Sequence, residues 1–364
     1  MEDASSALRH VKPGIRALHA YTLRHFDPPI KLNQNESPFD VPAELKSALW
    51  ERLASRPWNR YPPFVASDFI SAVSEATGHP SGGILVGNGS NELIQALLAT
   101  VVEPGVSVVI AEPTFTLYRL MTGVGGGTIA RVSMDDDFRF PVDDIINAAT
   151  TSRAAVIVLC APNNPTGSGL SREEIVRTHD ETESLIVLDQ AYVEFGGYDA
   201  IPLLRERPRL IILRTYSKAM SLAGLRAGYL LGHEALVTEI AKAKLPYNLN
   251  FVTETVAAEL MRNRHLLQPQ IDIVRSERDR ILDGLHAIEG IRAFPSEANF
   301  VLFRVERPDL DEKVVFRRLL DEFGILVRDV SGYPKLERCL RVNAGDSREN
   351  DVLLEALRSI FAAA

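Results

Sequence analysis

An α/β fold built on a largely parallel sheet is predicted by three features of this 364-residue chain. Short apolar runs recur between residues 84 and 232, without the polar alternation of a half-exposed strand. Helical patterns separate several of these runs. Beyond about Leu245 the pattern changes to long helices followed by shorter strands and helices. Strands buried on both faces need continuous apolar runs, and a parallel sheet covered by helices supplies that environment. The later change predicts a second, smaller α+β domain, and the length suits about two or three domains.

In chain order, ILV (Ile84–Val86) leads through a Gly-rich turn into the helical NELIQALLATVV. VSVVIA (Val106–Ala111), AAVIVLCA (Ala154–Ala161), SLIVLD (Ser184–Asp189), LIILRT (Leu210–Thr215) and AGYLLG (Ala227–Gly232) are the further strands. In LSREEI, Ser171 and Glu174 have the spacing of a capping box, which satisfies free amides at a helix start. From Phe251 to Ile288 the pattern is one or two long helices, interrupted at Pro269. ANFVLFRV, KVVFRRLLDEFG, ILVRDV, CLRVNAG and SRENDVLLEALRSIFA then read as strand, helix, strand, strand, helix. The segment up to about Pro42 is too short to fold alone and is expected to pack on this second domain. The boundaries expected are 43–250 for the large domain, 1–42 with 275–364 for the small one, and 251–274 for a connecting helix.

Composition excludes several functions. Acidic residues outnumber basic ones, 48 to 40, which disfavours a general nucleic-acid binder. Two cysteines without a CxxC pair, and eight histidines without HExxH spacing, disfavour a metal site. Two cysteines in so long a chain fit a reducing compartment. The first thirty residues hold no long apolar run, so neither a signal peptide nor a membrane span is expected, and the expected location is cytoplasmic.

Chemistry concentrates in the loops after the apolar runs. In YSKAMSLAGLRAGY, Lys218 follows a strand by a few residues, and Arg226 follows eight positions later. Ligands of open α/β sheets bind outside the carboxyl ends of the strands. A lysine near another cation has a lowered pKa and a nucleophilic amine, and Arg226 is expected to supply that field. GNGSNELI (Gly87–Ile94) sets a Gly-rich turn at a helix start, where free amides and the helix dipole attract an anion. CAPNNPTGSG (Cys160–Gly169) presents two asparagines after a strand, and LDQAYVEF (Leu188–Phe195) ends a strand on Asp189, with Tyr192 beyond it. A carboxylate there needs a positive partner. Alone, each of these segments also reads as ordinary structure: a surface Lys, a common loop, a helix-capping Asp. Together they supply a Schiff-base lysine, a phosphate cradle, an acid and polar side chains, which is the set that pyridoxal phosphate requires.

The ordered motifs LNQNESPF, RYP, EPTFTLY, APNNPTG, LDQAYVEF, YSKAMSLAGLRAGY, PYNLN and CLRVNAG run nearly end to end. Through them the chain resembles pyridoxal-phosphate-dependent aminotransferases of the aspartate-aminotransferase fold, most of all the histidinol-phosphate aminotransferases. The resemblance implies a mostly parallel seven-stranded sheet between helices. It makes Lys218 the cofactor-bonding lysine and proton carrier, and Asp189 the partner of the pyridine nitrogen. It sets Tyr192 and Asn164 on the ring hydroxyl and Phe115, where the family often has Tyr, on the ring face. Ser90, Asn91, Ser217 and Arg226 are implied to hold the phosphate. Tyr61 is implied to reach the cofactor of a neighbouring subunit, hence a homodimer. Arg341 is the implied fork for the substrate anion, with Tyr21, Asn33 and Arg328 as further substrate contacts. Gln190 departs from the Glu commonly found there. The implied reaction moves an amino group between glutamate and imidazole-acetol phosphate. Aromatic-amino-acid aminotransferases and threonine-phosphate decarboxylases share the scaffold and stand as alternatives. A cofactor-binding regulator is disfavoured because no DNA-binding module is visible. A cofactor-free lyase leaves Asp189 and Asn164 unexplained.

Overall fold

The computed structural model describes residues 5–18 and 26–362. Two single-turn helices, α1 (Ser5–Leu8) and α2 (Pro13–Arg16), precede the two-residue strand β1 (Ile30–Lys31). Helices α3 (Ala43–Ala54) and α4 (Ser67–Thr77) lead into the main sheet. Its strands are β2 (Ile84–Gly87), β3 (Ser107–Glu112), β4 (Thr128–Ser133), β5 (Val156–Cys160), β6 (Leu185–Asp189), β7 (Leu210–Thr215) and β8 (Gly228–Leu231). They lie in the order β2-β8-β7-β6-β5-β3-β4. All adjacent pairs are parallel except the two made by β8, which runs antiparallel to β2 and β7. The sheet is thus mostly parallel and seven-stranded, as the resemblance implied. Six strands coincide with the apolar runs. The seventh, β4, lies at a sheet edge with only Val132 buried, so it lacks the continuous apolar run of a buried strand.

Interleaved with these strands are α5 (Ser90–Val101), α6 (Leu117–Gly125), α7 (Val142–Ser152), α8 (Arg172–Asp180) and α9 (Glu234–Lys242). The capping box forms at the start of α8. The Ser171 hydroxyl accepts from the Glu174 amide at 3.2 Å, and the Glu174 carboxylate accepts from the Ser171 amide at 2.7 Å. Alternation along each strand divides the apolar residues between two cores. Val109, Ile157, Leu159, Ile186, Leu188 and Ile212 join the larger core with residues of α4, α7 and α10 (Phe251–Arg262). Val108, Ile110, Val158, Val187, Ile211 and Leu213 join the second core with α5, α6 and α9. This division aims chemistry as well as packing. By the period of two, Cys160 and Asp189 point to the same side as Val158 and Val187, towards α5 and α6.

After α10 the chain makes a 3₁₀ turn at Arg264–Leu267 and enters α11 (Gln268–His286). The break therefore precedes Pro269, which sits in the first turn of α11. A missing amide costs nothing there, because the first turn has no acceptors for its donors. A four-stranded antiparallel sheet follows, of β9 (Ile291–Ala293), β10 (Phe300–Val305), β12 (Arg328–Asp329) and β13 (Cys339–Asn343). Helices α12 (Glu312–Phe323) and α13 (Ser347–Ala362) accompany it. The run ILVRDV is split. Its first part, β11 (Ile325–Leu326), pairs in parallel with β1, and its second part is β12. This pairing ties residues 30–31 to the smaller sheet's neighbourhood and carries the following loop, Asn33–Asn35, over the ends of the main-sheet strands.

Candidate active site

Strands β2, β3, β5, β6 and β7 share one direction, so their carboxyl ends open on one edge of the sheet. Chain order reverses beside β3, since β4 lies outside it and β5 returns on its other side. Such a switch point leaves a crevice between diverging loops, where α/β proteins bind ligands. A cavity of about 280 Å³ occupies it. Its wall includes Ser90 and Asn91 after β2, Phe115 after β3, Asn164 after β5 and Asp189 at the end of β6. Tyr192, Ser217, Lys218 and Arg226 complete that side, while Asn33, Arg328 and Arg341 close the cavity from the other.

Lys218 is half-buried, and its amine donates to the Gln34 carbonyl at 2.8 Å. Desolvation in the crevice pushes its pKa down from the usual 10.5 to about 7. Arg341 is the next cause, Arg226 contributes less, and Glu36 acts in the opposite direction. The expectation that Arg226 supplies the depressing field is corrected here: burial dominates, and Arg341 is the stronger cation. Sequence distance hid this, because Arg341 reaches the crevice from β13.

Arg226 has another geometry. Its guanidinium donates to the Ser217 hydroxyl at 3.0 Å and to the Ala223 carbonyl at 3.0 Å. Gly89, at φ +79°, caps α5, and a Cβ there would lie 2.7 Å from the Arg226 guanidinium. A Cβ on Gly228 would lie 2.6 Å from the Ser90 amide. Only glycines let this loop, the arginine and the first amides of α5 converge, and the result is a cradle for a small anion.

Asp189 is almost fully buried. Its carboxylate accepts from the Tyr118 hydroxyl at 2.7 Å and from the Ala191 amide at 3.0 Å. Among the described residues it forms no ion pair. Burial raises its pKa from 3.8 to about 6, against the pull of those two hydrogen bonds. A buried carboxylate that titrates this high and faces a cavity is poised for a cationic partner from the ligand. The Tyr192 hydroxyl accepts from the Asn35 amide at 3.0 Å. Arg341 donates to the Asn164 side chain and, at 2.8 Å, to the Asn33 carbonyl, and its guanidinium lies 5.0 Å from the centre of the Phe300 ring.

One of the expected residues lies elsewhere. Tyr61 is 80% exposed and stacks on Tyr247 at 4.7 Å, away from this chain's cavity. Tyr21 falls outside the described residues. Reading the sequence also missed several contributors to the wall, among them Asn35, Tyr118, Cys160 and Tyr333. Tyr118 had a local signal, since it follows Phe115 by three residues and lies on the helix opened by that segment. Cys160 and Asp189 are register partners of β5 and β6, so strand alternation could have paired them. Tyr333 had no such signal, because it comes from a loop after β12.

A model of the class I and II aminotransferases matches residues 27–357 of this chain. The chain belongs to that family. Among curated aminotransferases, the histidinol-phosphate aminotransferase of Chlorobium luteolum is 39% identical over 351 residues, covering 96% of this chain and 97% of that protein. That of Prosthecochloris aestuarii is 41% identical over 329 residues, covering 90% of this chain and 91% of its own. The crystal structure of histidinol-phosphate aminotransferase from Sinorhizobium meliloti in complex with pyridoxal-5'-phosphate superposes with a TM-score of 0.89 at 24% identity, covering 99% of each chain. This aminotransferase fold is therefore that of the aspartate-aminotransferase group. The residues present fit pyridoxal phosphate: a glycine-lined anion cradle, a buried unpaired acid and an amine with a depressed pKa face one cavity of suitable polarity. Among the described residues no cluster suited to a metal ion exists, and no helix is long and apolar enough to cross a membrane.

Proposed function

We propose that this aminotransferase exchanges an amino group between glutamate and imidazole-acetol phosphate, forming 2-oxoglutarate and histidinol phosphate. The observation that carries the proposal is the pair of guanidinium groups, Arg328 and Arg341, that share the cavity wall with Lys218. Glutamate carries one carboxylate on the reacting carbon and one on its side chain, histidinol phosphate carries a phosphate ester on the carbon next to the reacting one, and a planar fork serves either anion. The near full-length likeness to histidinol-phosphate aminotransferases supports the same choice.

When bound, pyridoxal phosphate supplies a reactive aldehyde and an electron-withdrawing ring. Ser90, Asn91, Ser217 and Arg226 are assigned to its phosphate, Phe115 to its ring face, and Tyr192 and Asn164 to its hydroxyl. Asp189 would hold the proton on the ring nitrogen. Lys218, with a pKa of about 7, is suited both to accept and to return the substrate's α-proton near neutrality. Arg341 is already oriented by Asn164 and by the Asn33 carbonyl, so it binds an anion without searching for a rotamer. In this proposal residues 43–250 carry the cofactor, while 1–42 and 275–364 bring the substrate groups, with 251–274 between them. A homodimer is part of it. Tyr61, Phe64 and Tyr247 form an exposed aromatic cluster, which supports the assignment of Tyr61 to a neighbouring subunit's site.

The test is a panel of amino donors and acceptors on purified, cofactor-loaded protein, with borohydride trapping to locate the bound lysine. Histidinol phosphate is expected to be the preferred amine, and the adduct is expected on Lys218. Faster turnover of phenylalanine, or loss of carbon dioxide from threonine phosphate, would replace this substrate with one of those alternatives. An adduct at another lysine would overturn the site itself.

A further inference from the structure

We propose that Tyr118 is a positioning residue for this reaction: its hydroxyl holds the Asp189 carboxylate in a single orientation and in its ionised state. The inference rests on the functional reading above, because it concerns the acid assigned to the ring nitrogen. Tyr118 lies on the first turn of α6 and is 1% exposed. Its ring packs edge-on against Phe115, with centroids 5.7 Å apart. The β3–α6 loop and the first turn of α6 therefore carry, three residues apart, the residue assigned to the ring face and the donor to the buried acid.

The geometry leaves Asp189 little choice. One carboxylate oxygen accepts from the Ala191 amide and the other from Tyr118. With each oxygen tethered once, the carboxylate plane is fixed, and the remaining lone pairs are free for the cavity. The other titratable groups facing Asp189 are Cys160 from β5 and Tyr192 from the loop after β6. Burial raises the pKa of each, so both stay neutral and neither supplies positive charge. Tyr118 is likewise held in its protonated, donating form by burial and by Asp189. It is thus the one side chain donating a hydrogen bond to this carboxylate among the described residues. Desolvation alone works against the charge that this carboxylate would present to the ring nitrogen, and the Tyr118 hydrogen bond opposes it.

The test compares wild type with Tyr118→Phe, which removes one oxygen and keeps the ring. Infrared titration of apoprotein carrying ¹³C-labelled aspartate carboxyls, with Asp189→Asn identifying the band, reads Asp189 directly. Its midpoint is expected to rise by about one pH unit in the variant. Affinity for pyridoxal phosphate at pH 7 is expected to fall roughly ten- to a hundredfold, as for loss of a charge-assisted hydrogen bond. In an Asp189→Asn background the same change should alter affinity by no more than about twofold. An unchanged Asp189 midpoint in Tyr118→Phe would overturn the proposal. Failure of the wild-type protein to take up pyridoxal phosphate would instead sink the functional reading, while the apoprotein titration still decides the role of Tyr118. If Tyr118→Phe does not fold, 3-fluorotyrosine at position 118 gives the opposite sign. This stronger donor should lower the Asp189 midpoint, and no change would count against the proposal.

Discussion

Arg328 and Arg341 are Cα partners across the antiparallel pair β12–β13, so two cations stand on the same face of the small sheet, at the wall of the cavity. Like charges directly opposite one another destabilise a sheet. An anion between them reverses the sign. Arg328→Gln should stabilise the substrate-free protein by roughly 0.2–1 kcal/mol, while raising KM for a phosphorylated substrate at least tenfold, on the order expected for a lost charged hydrogen bond. Thermal unfolding with and without added phosphate checks the first part, since phosphate should raise the Tm of wild type more than that of the variant. Equal shifts would mean that Arg328 does not bind the anion.

Lys218 makes a prediction with a defined pH sign. Its folded pKa lies below its unfolded one, so the charged form is penalised in the folded apoprotein. The penalty is absent above about pH 10.5, grows as pH falls, and is complete below about 7. Lys218→Met should therefore make the apoprotein more stable than wild type at pH 6, by roughly 2–4 kcal/mol after allowance for partial exposure. The difference should close towards pH 10, which denaturant unfolding at several pH values measures. The same variant should lose at least about three orders of magnitude in kcat, the range of an essential acid–base group.

Gly89 tests the anion cradle. At φ +79°, with a would-be Cβ 2.7 Å from Arg226, alanine must either strain the backbone or displace the guanidinium. Gly89→Ala should lower cofactor affinity at least tenfold and destabilise the protein by roughly 1–3 kcal/mol. Fluorescence titration of the apoprotein with pyridoxal phosphate reads the first effect, and full affinity would show that the cradle does not hold the phosphate.

Ser171 supplies the contrasting case, far from the cavity in function. Ser171→Ala removes the acceptor for the Glu174 amide and should cost about 1 kcal/mol of stability. Steady-state constants should stay within about twofold of wild type, a change too small to alter a barrier by more than RT.

Much of the scaffold was legible because burial leaves a simple record. Val156–Cys160 and Leu210–Leu213 are apolar at successive positions since both faces of those strands are covered, and six of the seven main strands carry such runs. Strand β4 did not carry one, since of its six residues only Val132 is buried, whereas β2 at the opposite edge is covered throughout; β9 is only three residues long. The stretch expected as one or two long helices forms two, α10 and α11, and the break lies before Pro269 rather than at it.

The sequence by itself determined which groups exist and where along the chain each sits: Lys218, Asn164 and the glycine turn before Ser90 follow strands that share a direction, and Asp189 ends one. Local pattern suffices there, because a strand's end and its following loop are fixed by neighbours in the chain. Only the tertiary structure decided how those groups influence one another. It brought Arg341 from β13 to dominate over Arg226 as the cation acting on Lys218, and set Tyr118 against Asp189 across 71 positions. It also laid Asn35 on Tyr192 across 157 positions. Desolvation and charge act through space, so their strengths depend on distances that no stretch of sequence contains.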